Sequence, residues 1–400
     1  MNFPRILKKR KGYIDRIKPF MQKSVVKVLT GQRRVGKSFL LYQLIEEILG
    51  KEPDANIIYI NLEDFAFSSL QTAEDLHSYI ISHSKEKAKN YIFIDEIQDI
   101  PGFEKVIRSL LLNEDNDIYI TGSNAKMLSG ELATYLSGRY IEFKIYSLSY
   151  SEFLEFHGLT ESETSYELYS RYGGLPYLLN LPLEDETVNE YLKSVYSTIV
   201  FRDVVSRYKL RNTLFLEKLI QFLSENIGNL FSAKNISDYL KSQHTAISVN
   251  QIQSYTEYLN NAFLIHRVER YDLIGKRVFE IGEKYYFENM GIRNIVIGYR
   301  ITDKAKILEN LVYNHLLYKG YDIKVGYYGD KEIDFIGEKN GEKLYIQVAL
   351  KIDGDTAERE FGNLLKIQDN YPKIVVTEDT FSGNSYEGIR HCPIRQFLME

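Results

Sequence analysis

Residues 31–38 read Gly31-Gln32-Arg33-Arg34-Val35-Gly36-Lys37-Ser38, with the spacing G-x-x-x-x-G-K-[ST]. Glycines at both ends let a backbone loop wrap an anion with its N–H groups turned inward. A lysine at the seventh position reaches β- and γ-phosphates, and the hydroxyl that follows ligates Mg²⁺. The chemistry is nucleoside triphosphate binding, with ATP and Mg²⁺ as the expected ligands. A second pair of residues suits the same reaction. Tyr91-Ile92-Phe93-Ile94 ends in Asp95-Glu96, where Asp95 would hold Mg²⁺ through water and Glu96 would orient and deprotonate an attacking water.

Such a loop must join a buried strand to the positive end of a helix. Residues 25–30 form the apolar run and residues 39–49 carry a helical pattern. Residues 56–61 read as another buried strand, and Ile118-Tyr119-Ile120-Thr121 as a third, ending in Gly122-Ser123-Asn124. A polar residue at that strand end contacts the γ-phosphate or the lytic water in ATPases with an Asp-Glu pair. Ser123 is the candidate and Asn124 the second, against a plain strand-end turn. Arg139, after Gly138 and before the strand-like 141–145, is either an arginine supplied to the γ-phosphate, within the chain or across a subunit interface, or an ordinary ion-pair partner.

With these residues the chain resembles the prokaryotic AAA-type ATPases that carry a double-arginine phosphate loop. Phe93-Ile94-Asp95-Glu96-Ile97-Gln98, Thr121-Gly122-Ser123 and Leu136-Ser137-Gly138-Arg139 carry the likeness beside the loop. Tyr172-Gly173-Gly174-Leu175-Pro176-Tyr177 is similar to the Gly-x-Pro turn in the helical lid of STAND-class and archaeal ATPases. That resemblance implies an adenine contact for Pro176. The alternative is a helix-breaking linker.

The middle of the chain carries three helical patterns. The first buries Leu216, Leu219, Ile220, Leu223 and Ile227. The second, over 232–241, turns Ala233, Ile236, Tyr239 and Leu240 inward. The third, opening at Ser248 with Gln251 as a capping pair, buries Ile252, Tyr255, Leu259 and Ala262. A strand over 263–270 and a basic return, Lys276-Arg277-Val278-Phe279, complete a winged helix. Its third helix offers Asn250, Gln251 and Gln253 outward but no Arg or Lys, so it serves either packing or DNA contact.

The last third runs helix (304–318), strand (321–326), strand (332–336), strand (343–351), helix (355–368), strand (373–377). This order resembles the restriction-endonuclease-like fold. The resemblance implies a Mg²⁺ site from Glu309, Asp334 and Gln347, in degenerate form: Gln347 stands in place of a carboxylate and Ala349 in place of the lysine. Lys351 is two residues on, displaced by about 6.5–7 Å of strand rise.

Composition sets the frame. Four hundred residues with 44% hydrophobic and 26% charged side chains predict a multi-domain globular chain. The single cysteine, Cys392, excludes an internal disulfide and fits a reducing cytoplasm. The seven histidines do not pair at zinc-ligand spacing, and no apolar run reaches the roughly 18 residues of a membrane span. The net charge of −5 argues against a whole-surface polyanion binder, although residues 1–50 are locally basic.

The expected fold is α/β: a P-loop parallel-sheet ATPase core (1–148), a helical lid (149–210), a winged helix (211–280) and a C-terminal restriction-endonuclease-like domain (281–400). The expected function is a Mg²⁺-dependent ATP-hydrolysing AAA/STAND-like switch, with a DNA or protein partner on the winged helix and last domain, and homo-oligomerisation left open. The alternatives are an ATP-dependent DNA nuclease using Glu309 and Asp334, or a regulator that holds ATP without turnover.

Overall fold

The computed structural model describes residues 8–125, 135–136, 138–273, 275, 282–329, 331–352, 354–378 and 385–400. The chain divides into two compact units. The first comprises Met1–Tyr146 with Asn261–Phe263, the second Ser147–Asn260 with Leu264–Glu400.

The first unit opens with α1 (Lys11–Ile17), then β1 (Val26–Thr30), α2 (Lys37–Leu49), β2 (Asn56–Asn61), α3 (Ala73–His83), β3 (Asn90–Asp95), α4 (Phe103–Leu110), β4 (Asn116–Gly122) and β5 (Tyr140–Lys144). The strands make one parallel sheet in the order β2-β3-β4-β1-β5. Sequence and position agree: the inner strands β1, β3 and β4 are buried throughout, whereas the edge strands β2 and β5 are only partly covered. Strands covered on both faces read as near-continuous apolar runs, and the charged residues within β1 and β4, Lys27 and Asp117, pair with each other. Because all five run the same way, their carboxyl ends share one edge of the sheet. There β1 runs into the loop at 31–36 and β3 into Glu96.

Local chemistry fixes the helices. Thr72 and Asp75 cap the start of α3 reciprocally, each meeting an otherwise orphaned N–H. α2 instead begins after Gly36, whose left-handed backbone (φ 97°) turns the loop into the helix.

The second unit begins with α5 (Tyr150–His157), α6 (Glu163–Tyr172), α7 (Asp185–Thr198), α8 (Thr213–Glu225), α9 (Ala233–Ser242) and α10 (Val249–Asn261). It continues with β6 (Ile265–Asp272), β7 (Glu283–Phe287), α11 (Met290–Ile297), α12 (Lys304–Tyr318), β8 (Asp322–Tyr328), β9 (Lys331–Lys339) and β10 (Glu342–Ala349). It closes with α13 (Gly354–Leu365), β11 (Lys373–Thr377), β12 (Ser385–Tyr386), β13 (Ile389–Pro393) and α14 (Ile394–Phe397).

The inward residues expected on α8 and α10 are buried, and Ser248 Oγ accepts the Gln251 N–H as its spacing predicts. α9 departs from expectation. Tyr239 is 66% exposed, because Ala233, Ile236 and Leu240 repeat at i, i+3 and i+7 and leave Tyr239 on the flank of that stripe.

The strand pairing antiparallel to β6 is Glu283–Phe287, with Ile265 opposite Phe287. The basic return expected over 276–279 lies outside the described residues. β6 also pairs in parallel with β8, so one sheet runs β12-β13-β11-β10-β9-β8-β6-β7 and takes strands from both sides of position 280. The helix–three-strand–helix–strand order expected for the last third is observed as α12, β8, β9, β10, α13 and β11. Among the described residues, no helix is long and apolar enough to cross a membrane.

Candidate nucleotide site

The loop between β1 and α2 has no room for side chains at its start. A Cβ on Gly31 (φ 150°) would come within 2.1 Å of the Ile145 carbonyl oxygen. Arg34 adopts φ 72°. The two loop arginines therefore diverge: Arg34 is exposed, while Arg33 is buried with Nη1 2.7 Å from Glu63 Oε1. Val35 is fully buried beneath the loop. Gln32 is also fully buried, and its Nε2 donates to the Phe263 carbonyl at 2.8 Å.

Lys37 points back into the bend. Its Nζ donates to the carbonyls of Gly31 and Gln32, both at 3.0 Å, and lies 3.8 Å from Glu96 Oε1. The ammonium is thus held at the mouth of the loop. Ser38, in the first turn of α2, donates its hydroxyl hydrogen bond to Asp95.

Asp95 ends β3 and is almost fully buried. Thr121 Oγ1 donates to Asp95 Oδ1 and accepts the Glu96 N–H at 2.9 Å, so one hydroxyl fixes both acids. Tyr59 OH lies 3.5 Å from the other Asp95 oxygen. Burial pushes the Asp95 carboxyl above its usual range, against the hydrogen bonds from Ser38 and Thr121.

Glu96 takes a left-handed backbone (φ 57°, ψ 44°). That conformation is uncommon for a side chain of this size and turns the chain sharply off the strand. Its Oε2 accepts from Ser123 Oγ at 3.1 Å and Gln98 Nε2 at 2.6 Å. Burial alone would raise the Glu96 pKa, but the charges of Lys37 and Arg33 and these two donors outweigh it and hold the group below its ordinary value.

The structure therefore brings together Gly31, Gln32, Arg33, Val35, Gly36, Lys37, Ser38, Asp95, Glu96 and Ser123 at the carboxyl edge of the sheet. The donor set fits Mg²⁺: a hydroxyl and a carboxylate, both hard oxygens, already hydrogen-bonded to each other. Arg139 is a correction. It precedes β5, whose Tyr140 stands level with Val26 at the start of β1, and its carbonyl accepts the Val26 N–H at 3.0 Å. Parallel register thus puts Arg139 at the opposite end of β1 from the loop, roughly 15 Å of strand away, and it cannot serve the γ-phosphate within the chain.

Sequence reasoning missed Thr121, Gln98 and Glu63. A threonine at the end of an inner strand, next to the strand carrying the acids, was the available signal.

In the second unit, Pro176 opens a short 3-10 turn, Pro176–Asn180. The glycines before it have a packing reason: a Cβ on Gly173 would meet Asn289 Oδ1 at 2.3 Å, and one on Gly174 the Leu148 carbonyl oxygen at 2.3 Å. Glu309 (α12), Asp334 (β9) and Gln347 (β10) also lie in this unit. Asp334 Oδ2 accepts the Val348 N–H at 2.8 Å, and burial and the nearby Glu309 push its carboxyl well up. Gln347 Oε1 is buried without a hydrogen-bond partner. Lys351 is exposed beyond the end of β10.

Comparison with known proteins agrees with the first unit. A family model described as an AAA domain matches residues 23–154, and one described as a domain of unknown function matches residues 163–303. An uncharacterized protein of Haemophilus influenzae is 37% identical over 98% of this chain and 98% of its own length. An uncharacterized protein of Methanocaldococcus jannaschii is 31% identical over 84% of this chain and 77% of its own. Among solved structures, the Aeropyrum pernix ORC1 protein in complex with DNA is 12% identical and covers 73% of this chain and 93% of that one. The TM-score is 0.36.

Proposed function

This chain belongs to one family with those uncharacterized proteins and matches an AAA domain over residues 23–154, and we propose that it binds ATP with Mg²⁺ and hydrolyses it as a molecular switch. The observation that carries this reading is the meeting of Lys37, Asp95 and Glu96, with Thr121 and Ser123 bracing the two acids. The loop N–H groups and Lys37 hold the β- and γ-phosphates. Ser38 and Asp95 are the residues that would hold Mg²⁺, which supplies charge neutralisation on the phosphate oxygens.

Glu96 orients a water for in-line attack. As the water oxygen bonds to the γ-phosphorus, the bond to the β–γ bridging oxygen breaks and the released proton passes to the Glu96 carboxylate. ADP and inorganic phosphate leave. Lys37 tunes this base. Its charge now lowers Glu96's proton affinity, and phosphate oxygens would compete for that charge, making Glu96 more basic once ATP is bound.

The switch reading is supported by Gln32. Its partner Phe263 lies in Asn261–Phe263, a segment of the first unit that the chain enters from α10 and leaves into β6. A phosphate that reshapes the loop therefore acts on the segment joining those two elements. Pro176 is proposed as the adenine contact.

For α8–α10 with the β6–β7 hairpin, read as a winged helix, two observations favour packing or a protein partner over DNA. Arg267 is paired with Glu283 (3.2 Å), and Arg270 stacks on Tyr327 (3.5 Å to the ring centre). Phosphate release from ATP by the wild-type and Glu96→Gln chains tests the hydrolytic part.

A further inference from the structure

The acids of the last third do not suit a divalent cation. Glu309 projects from α12, and Glu332 and Asp334 from β9. Between them stands Lys284 of β7, its Nζ 3.1 Å from Glu309 Oε1 and 2.6 Å from Glu332 Oε1. Mg²⁺ would need those oxygens at about 2.0–2.1 Å in near-octahedral array, and an ammonium already sits between them. The lysine side chain is 4% exposed, so its ammonium is enclosed among these acids and their neighbours.

Each of the three acids also accepts a further hydrogen bond. Tyr286 OH donates to Glu309 Oε1 at 2.6 Å, Tyr327 OH donates to Glu332 Oε2, and the Val348 N–H meets Asp334 Oδ2. Gln347, where a nuclease of this scaffold would carry a carboxylate, adds only a neutral amide. The Lys284 ammonium thus has two acid oxygens, one from α12 and one from β9, within ion-pair distance.

We infer that Lys284 is a built-in cation that has replaced the divalent metal of a nuclease-like site, its ammonium clamping β7 to α12 and β9. The cluster is then a structural weld. It binds no Mg²⁺ or Mn²⁺ and cleaves no phosphodiester, and its acids serve to seat the hairpin strand.

The test uses Mn²⁺ as the probe on the nucleotide-free full chain, by electron paramagnetic resonance titration and by anomalous scattering from soaked crystals. Wild type should show no Mn²⁺ at Glu309 and Asp334. Lys284→Met should gain one Mn²⁺ per chain that Asp334→Asn in the same background removes, at least tenfold tighter than anything wild type shows there. Mn²⁺ between Glu309 and Asp334 in wild type overturns the inference, as does a folded Lys284→Met that gains no such ion. Should Lys284→Met not fold, the wild-type crystals alone decide. Anomalous signal at those acids contradicts the assignment, and its absence upholds it.

Discussion

Ser123 Oγ donates a hydrogen bond to Glu96 Oε2 at 3.1 Å. The serine at the end of β4 therefore acts first on the acid. Removing this donor takes away stabilisation of the ionised carboxylate, so Ser123→Ala should raise the Glu96 pKa. The acid limb of the turnover profile should then move to higher pH while ATP affinity changes little. A pH–rate profile superimposable on wild type would contradict this role.

Thr121 holds both acids through one hydroxyl, as acceptor from the Glu96 N–H and donor to Asp95. Thr121→Val keeps shape and loses both bonds. Turnover should fall by about 10- to 100-fold, a cost of roughly 1.4–2.7 kcal/mol in the transition state, with more Mg²⁺ needed for half-maximal rate. An unchanged Mg²⁺ requirement would show that Asp95 does not depend on this bridge.

Gly31 has no space for a side chain, with the Ile145 carbonyl oxygen 2.1 Å from where a Cβ would be. Gly31→Ala must displace the loop from the end of β1. ATP affinity measured by calorimetry should drop at least about tenfold, or 1.4 kcal/mol. Wild-type affinity in that variant would mean the loop conformation is not the one that binds phosphate.

Much of this site is legible in the sequence because it is local. Loop, following helix and Asp-Glu pair each occupy a short stretch whose apolar run and glycines dictate one geometry. What stays hidden depends on contacts between distant positions. Thr121 matters only because β4 lies beside β3. Arg139 misleads because its distance from the loop is set by the register of β5 on β1, which no spacing encodes. Lys284 precedes Glu309 by a whole helix and reaches the acids only when β7 joins β6. Tyr239 shows the same limit on a smaller scale: an aromatic at the flank of an apolar stripe reads as core until packing is known.

His315 on α12 is buried without a partner for Nδ1, and burial lowers its pKa from 6.5 to about 3. The sign follows from linkage. A histidine held neutral in the fold but free to protonate when unfolded contributes stability above pH 6.5 that is lost as pH falls toward 3. Denaturant unfolding should therefore weaken below pH 6.5, by up to about 1.4 kcal/mol per pH unit from this residue. His315→Gln should flatten that slope, and an identical slope in the variant would clear His315 of the effect.

Lys27 and Asp117 form a fully buried ion pair between β1 and β4, with Tyr119 OH and the Gln22 N–H completing the carboxylate. Asp117→Ala strands a buried ammonium and should cost about 3–5 kcal/mol of stability. The pair lies toward the start of β1, away from the loop, so ATP affinity of the folded variant should stay near wild type. A loss of affinity without loss of stability would reverse the assignment.

The most direct test of the account is paired measurement of ATP binding and phosphate release for wild type and Glu96→Gln in the presence of Mg²⁺. The expected result is ATP binding by both chains and phosphate release from wild type alone, reduced in the variant by at least about 100-fold as for loss of a general base. Unchanged phosphate release from Glu96→Gln, or failure of wild type to bind ATP, would contradict it.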